Sequence, residues 1–174
     1  MPAMPMSDYV RKLRRHLGND LILLPSAAAV IRDDRDRILL VRQIDSGIWS
    51  TPGGAVDPDE SPSDAAVREA FEETGYLIEL VRVLGVYGGP QYRVTYPNGD
   101  VTSYVSTGFE ARVIGGVPRP DGEETSELRW FTEDELAGVD LSIWARVMVA
   151  DLFANPTAAR FPKPGWRPSS GTPA

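Results

Sequence analysis

Glu69, Glu72 and Glu73 crowd one short stretch of the chain, and their spacing is that of a shared helical surface. At about 100° per residue a helix through them gathers the three carboxylates on an arc of roughly 100°. Like charges at i,i+3 and i,i+4 repel, and toward a helix C-terminus the macrodipole disfavours each by about 0.3–1 kcal/mol. A solvated acidic face with Arg68 as a salt-bridging neighbour would be the bland reading. Two features count against it: the acids lie in the C-terminal half of the helix, and a Gly53-Gly54 turn precedes it, whose backbone can approach closely and lend a carbonyl oxygen. Oxygen donors of this kind suit Mg2+ or Mn2+ rather than zinc.

Composition closes the other routes. The 174 residues contain no cysteine and one histidine, His16, so disulfides, thiolate zinc sites and a cysteine nucleophile are absent, and a Ser–His dyad is disfavoured. Asp57, Asp59, Ser61 and Ser63 alternate like a calcium-binding EF-hand loop, but the positions that need Gly and Glu hold Pro62 and Arg68. No phosphate-binding P-loop motif occurs. A net charge of −7 repels nucleic acid and anionic lipid, so neither is expected as a partner. The longest apolar run, Leu21 to Ile31, is broken by Pro25 and Ser26 and falls short of the roughly 20 residues a bilayer needs. No targeting signal fits the start, and a cytoplasmic location is expected.

Several elements must position the acids. Tyr9, Val10, Leu13 and Leu17 predict an amphipathic helix over 7–17, stopped at Gly18 and Asn19. Strands are predicted at 21–32 and 37–43 around a charged turn, with 48–52 extended. The key helix runs from about 62 to 74, with Ser61 as N-cap, Pro62 at its first position, Asp64 completing a capping box and Gly75 closing it. Its core-facing stripe reads as Ala66, Val67, Ala70, Phe71 and Thr74. Strands at 76–87 and 102–113 flank a turn at Pro97-Asn98-Gly99-Asp100. A strand at 127–131 then leads to a capped helix start at Thr132, and a last amphipathic helix covers 142–154. Hence three regions are expected: an N-terminal helical extension over 1–19, a domain over 20–154, and a mobile Pro-rich tail over 155–174. The class is α/β, a small sheet with helices on both faces.

From Gly54 to Tyr76 the sequence resembles the Nudix box, G-x5-E-x7-R-E-U-x-E-E-x-G-U, in which U is an apolar residue. Gly54, Glu60, Arg68, Glu69, Glu72, Glu73 and Gly75 fill every fixed position, with Ala70 and the looser Tyr76 at the U positions. The resemblance extends over roughly 20–154 and implies an α/β/α sandwich with a mixed sheet. It implies hydrolysis of a diphosphate bond in a nucleoside diphosphate derivative, of the ADP-ribose, dinucleoside polyphosphate or nucleoside triphosphate class. Glu69, Glu72 and Glu73 with the Gly54 carbonyl would bind Mg2+ or Mn2+, Arg68 would hold the glutamates, and Glu60 and Gly53 would support the loop. The general base is Glu72 in the helix or Glu124, which precedes Trp130 by six residues as in some members. Arg42, Trp49 and Tyr92 are candidates to contact substrate, with a solvated cation or a core ring as the alternative for each. Pro90 resembles a proline of ADP-ribose hydrolysing members and Tyr92 a tyrosine of dinucleoside polyphosphate hydrolysing ones, two hints that compete, with a plain turn residue after Gly88-Gly89 as the alternative for Pro90. A homodimer is compatible with the resemblance. The alternative function is a non-catalytic nucleotide sensor on the same fold, although such proteins usually erode the glutamates.

Overall fold

The computed structural model describes residues 6–154 and 157–167. Helix α1 (Asp8–Leu17) leads into β1 (Ile22–Arg32), β2 (Ile38–Gln43), β3 (Trp49–Ser50), β4 (Gly53–Ala55) and helix α2 (Pro62–Thr74). Then come β5 (Tyr76–Tyr87), a 3-10 turn at Pro90–Tyr92, β6 (Arg93–Thr95), β7 (Val101–Gly116), β8 (Thr125–Phe131), α3 (Glu133–Leu136) and α4 (Ile143–Ala154). Among the described residues no helix is long and apolar enough to cross a membrane.

The strands form one mixed sheet with the central order β3-β2-β1-β7-β5. β1 and β7 run parallel over ten consecutive pairs, from Ile22↔Thr102 to Ile31↔Ala111, and the other pairings are antiparallel. β1 touches β2 only at Ile31↔Leu39 and Arg32↔Ile38. The gap that opens between them is filled by β4, which pairs Gly53 with Ala28 and Gly54 with Ala27. This splay places the Gly-Gly turn beside the central strand.

Alternation along β1 and β2 explains their nearly unbroken apolar sequence, since both faces are covered. Ala28, Val30, Ile38 and Leu40 pack with Phe131 against Ala145, Met148, Val149 and Leu152 of α4. Ala29, Ile31 and Leu39 face the other way, toward Ala70 of α2, and Ala27 meets Ala65 and Ala66. These three alanines of α2 are fully buried, so the helix lies close to the sheet. The result is the α/β/α sandwich that the sequence implied.

Four details differ from expectation. Phe71 is 44% exposed and Glu73 only 5%, so the inward stripe of α2 includes an acid rather than the aromatic ring. The Ser61 hydroxyl accepts the Asp64 amide at 3.1 Å, but the Asp64 carboxylate receives that same hydroxyl at 2.6 Å rather than the Ser61 amide, leaving the box half made. The turn at 97–100 joins β7 to the short β6, not to β5. Arg14, which an amphipathic helix would place on the side away from its apolar residues, is sequestered: it donates to the Val101 carbonyl and the Thr102 hydroxyl and lies 3.5 Å from Asp100.

Part of the segment expected to be a mobile tail is tied down. Arg160 pairs with the edge of β5, donating to the Leu84 carbonyl at 2.8 Å and accepting the Val86 amide at 3.1 Å, while its guanidinium meets Asp151 of α4 at 2.7 Å. Residues 155–156 and 168–174 of that expected tail lie outside the described residues.

Candidate active site

The acids are placed by α2 and by the turn before it. Ser61 caps the helix start and Gly75, in the left-handed conformation at φ 72°, stops it, fixing which turn carries Glu69, Glu72 and Glu73. Gly54 must be glycine for Glu69: a Cβ there would stand 2.4 Å from Glu69 Oε1. Gly53 must be glycine for the fold, since its Cβ would meet the Ala27 carbonyl oxygen at 2.4 Å and the Ala28 Cα at 2.7 Å. The Gly53 amide donates to Glu73 Oε1 at 3.2 Å.

Arg68 organises the other side. Its Nε and Nη2 grip Glu60 at 2.8 and 2.9 Å, and Nη2 also reaches the Ala55 carbonyl at 3.1 Å. Its Nη1 donates to Glu69 at 2.8 Å and to Glu72 at 3.0 Å. The same guanidinium that holds the loop through Glu60 thus holds two acids of the helix. Bidentate geometry of this kind is specific to arginine. Hydrogen bonding from Arg68 keeps the Glu60 carboxyl below its ordinary value.

Glu73 and Glu124 are treated differently. Among the described residues neither has an ion-pair partner. Burial, followed by the charge of Glu69, pushes Glu73 well above the usual carboxylate range. Burial and then Glu69 push Glu124 up to about 7, with Asp121, Glu72 and Asp45 adding to the effect. Burial also raises Glu69 despite its bond to Arg68. Glu124 from the loop before β8 and the acids of α2 therefore share one electrostatic neighbourhood, although they are fifty residues apart in sequence.

A buried acid without a positive partner is costly, and here Glu73, with Glu69 one turn away, lies against a turn of bare backbone. That donor set fits a hard divalent cation. In the arrangement observed, no three acidic side chains among the described residues converge closely enough to hold an ion, and Glu69 and Glu72 are paired with Arg68.

The substrate candidates have partners of their own. Tyr92 is 3% exposed, with its ring 4.5 Å from Trp144 and edge-on to Tyr87, as part of the core beneath α4. Trp49 packs edge-on against Phe131 at 5.0 Å. Arg42 is exposed, engaged by Glu127 at 3.5 Å and the Gly47 carbonyl at 3.2 Å. Pro90 opens the 3-10 turn that carries Tyr92. Asp121 and Thr125, which shape the Glu124 loop, escaped the sequence reading; the Asp121-Gly122 dipeptide was a turn signal that could have marked them.

Residues 23–152 match the family model described as the NUDIX domain. An ADP-ribose pyrophosphatase of Methanocaldococcus jannaschii is 33% identical over 135 residues, covering 74% of this chain and 76% of that protein. A MutT-like protein of Streptomyces ambofaciens is 34% identical over 111 residues, covering 64% of each, so the match leaves about a third of that relative unspanned. The crystal structure of an ADP-ribose pyrophosphatase from Streptococcus suis superposes with a TM-score of 0.60 at 29% identity, covering 77% of this chain and 92% of that one. NUDIX hydrolases act on small nucleotide substrates and generally use a divalent metal. The family match spans β1 through α4 and takes in every element that carries the acidic cluster: the chain belongs to the NUDIX family of hydrolases acting on phosphorus anhydrides.

Proposed function

We propose that this protein cleaves the diphosphate bond of a nucleoside diphosphate derivative by attack of water at phosphorus, with Mg2+ or Mn2+ as cofactor. The observation that carries the reading is the placing of Glu69 and Glu73 against the Gly53-Gly54 turn, with Glu124 in the same electrostatic neighbourhood. Glu69, Glu72, Glu73 and the Gly54 carbonyl would hold the cation. When bound, it supplies charge neutralisation for the diphosphate and acidifies a water.

The chain's own residues do the rest. Arg68 keeps Glu60, Glu69 and Glu72 in register and remains positive throughout. Of the two candidate bases, Glu124 is favoured. A base works best when its pKa lies near the operating pH; Glu124 is pushed up to about 7, whereas Glu72 is half exposed and its carboxylate is occupied by Arg68 at 3.0 Å. The acidic surface favours a small polyphosphate that arrives with its cations over nucleic acid. The presence of all three box glutamates favours turnover over a sensor that only binds.

The test is a panel of ADP-ribose, dinucleoside polyphosphates and nucleoside triphosphates, assayed with Mg2+ or Mn2+ and then with chelator. The reading expects product only with metal, and a loss of kcat on the order of 10²-fold or more in Glu69→Gln and Glu124→Gln. No product from any member of the panel would overturn it.

A further inference from the structure

The loop before β8 is laced by hydrogen bonds. Asp121 Oδ1 accepts three successive amides, those of Glu123 at 2.9 Å, Glu124 at 3.0 Å and Thr125 at 2.8 Å. Gly122 stands at φ 77°, a left-handed conformation that glycine adopts freely, and its amide closes on the Thr125 carbonyl at 3.0 Å. The Thr125 hydroxyl accepts the Asp121 amide at 3.3 Å and shares its proton between Asp121 Oδ1 and the Glu73 carbonyl, both at 3.1 Å. Thr125 is buried, so this last bond fastens the loop to the helix of the box. On the far side, the Glu124 carbonyl accepts the Ile44 amide at 2.9 Å.

The Glu124 backbone is therefore fixed at three points: its N–H by Asp121, its C=O by Ile44, and the next residue by Glu73. Two of the three depend on a side chain outside the box, Asp121 and Thr125, and of these only Asp121 binds the Glu124 amide itself. We propose that Asp121 is a positioning residue: by gathering the amides of 123–125 it holds Glu124 over the acids of α2, and catalysis depends on it through Glu124 alone. The inference rests on the hydrolase reading above and extends it to a residue outside the box. A carboxylate is not needed for the task, because one acceptor oxygen makes all three bonds; an asparagine Oδ1 can make them too.

Asp121→Ala, Asp121→Asn and Glu124→Gln, singly and with Asp121→Ala combined with Glu124→Gln, test this in two ways. Amide hydrogen exchange on the protein alone should find the amides of Glu123, Glu124 and Thr125 protected in the wild type and in Asp121→Asn, and exchanging at least about tenfold faster in Asp121→Ala. Steady-state assays with ADP-ribose and ATP as probes should show kcat falling on the order of 10²-fold in Asp121→Ala, as a misplacement of about 1 Å can produce, with KM held within roughly threefold. Asp121→Asn should retain most of the activity. In the Glu124→Gln background Asp121→Ala should add no more than about a twofold loss, since residues acting as a unit are not additive. Unchanged exchange in Asp121→Ala, or losses that multiply with Glu124→Gln, would overturn the proposal. A wild type inert toward every nucleotide would overturn the hydrolase reading instead, and exchange would still decide whether Asp121 fixes the loop.

Discussion

Arg68 grips Glu60 through two parallel bonds, Nε to Oε1 at 2.8 Å and Nη2 to Oε2 at 2.9 Å. One guanidinium thereby ties the loop after the Gly-Gly turn to the helix that carries the other acids. Lysine offers a point charge with no fork. Arg68→Lys should therefore lower stability by about 1–3 kcal/mol, the scale of charge-assisted hydrogen bonds, and reduce kcat more than KM. Thermal melts and steady-state kinetics on the same preparation check both.

Gly53 and Gly54 should separate fold from function. An added methyl at Gly53 meets main-chain atoms of β1, which cannot move aside, so Gly53→Ala should cost about 1–3 kcal/mol in a melt. At Gly54 the methyl meets the far end of the Glu69 side chain, which can swing away. Gly54→Ala should melt near the wild type and yet lose kcat on the order of 10²-fold.

Tyr92 should matter to stability and not to substrate. Its ring is buried against Trp144 and Tyr87, so Tyr92→Ala should cost about 3–5 kcal/mol, whereas Tyr92→Phe should leave KM unchanged. A KM rise in Tyr92→Phe without a change in melting would place the ring against substrate after all.

The metal-free protein should respond to pH through Glu124. Its folded value, about 7, lies above the ordinary 4.5. A group shifted upward contributes stability that is fully present below its unfolded value and lost as pH rises through its folded one. The melting temperature of the wild type relative to Glu124→Gln should therefore decline between pH 4.5 and about 7. Glu60 is shifted the other way, and its contribution is present above 4.5 and lost as pH falls below it. Saturating Mg2+ should raise the wild-type melt at pH 7.5, by about 2.7 kcal/mol of added stability at a hundredfold excess over Kd.

The box and its helix were legible because their signals are local: Ser61-Pro62 begins α2, Gly75 ends it, and the acids sit at fixed spacings between. The strands were legible from apolar runs, although β6 and the 3-10 turn were too short to register. What stayed hidden depends on contacts distant in sequence. The rotation of α2 that buries Glu73 and exposes Phe71 is set by three alanines pressed on β1 and β7. The burial of Tyr92 is set by α4, and the anchoring of Arg160 by Asp151 and β5. No periodicity within any one segment carries that information.

The central claim, that the box acids and Glu124 drive metal-dependent attack of water at phosphorus, is tested most directly by hydrolysis in ¹⁸O-labelled water. With Mg2+ and the preferred nucleotide of the panel, the account predicts one ¹⁸O in a phosphoryl group of a single product, none in the oxygen joining C5′ to phosphorus, and no labelled product from Glu73→Gln or in the presence of chelator. Label at a C5′ oxygen, or full turnover by Glu73→Gln, would contradict it.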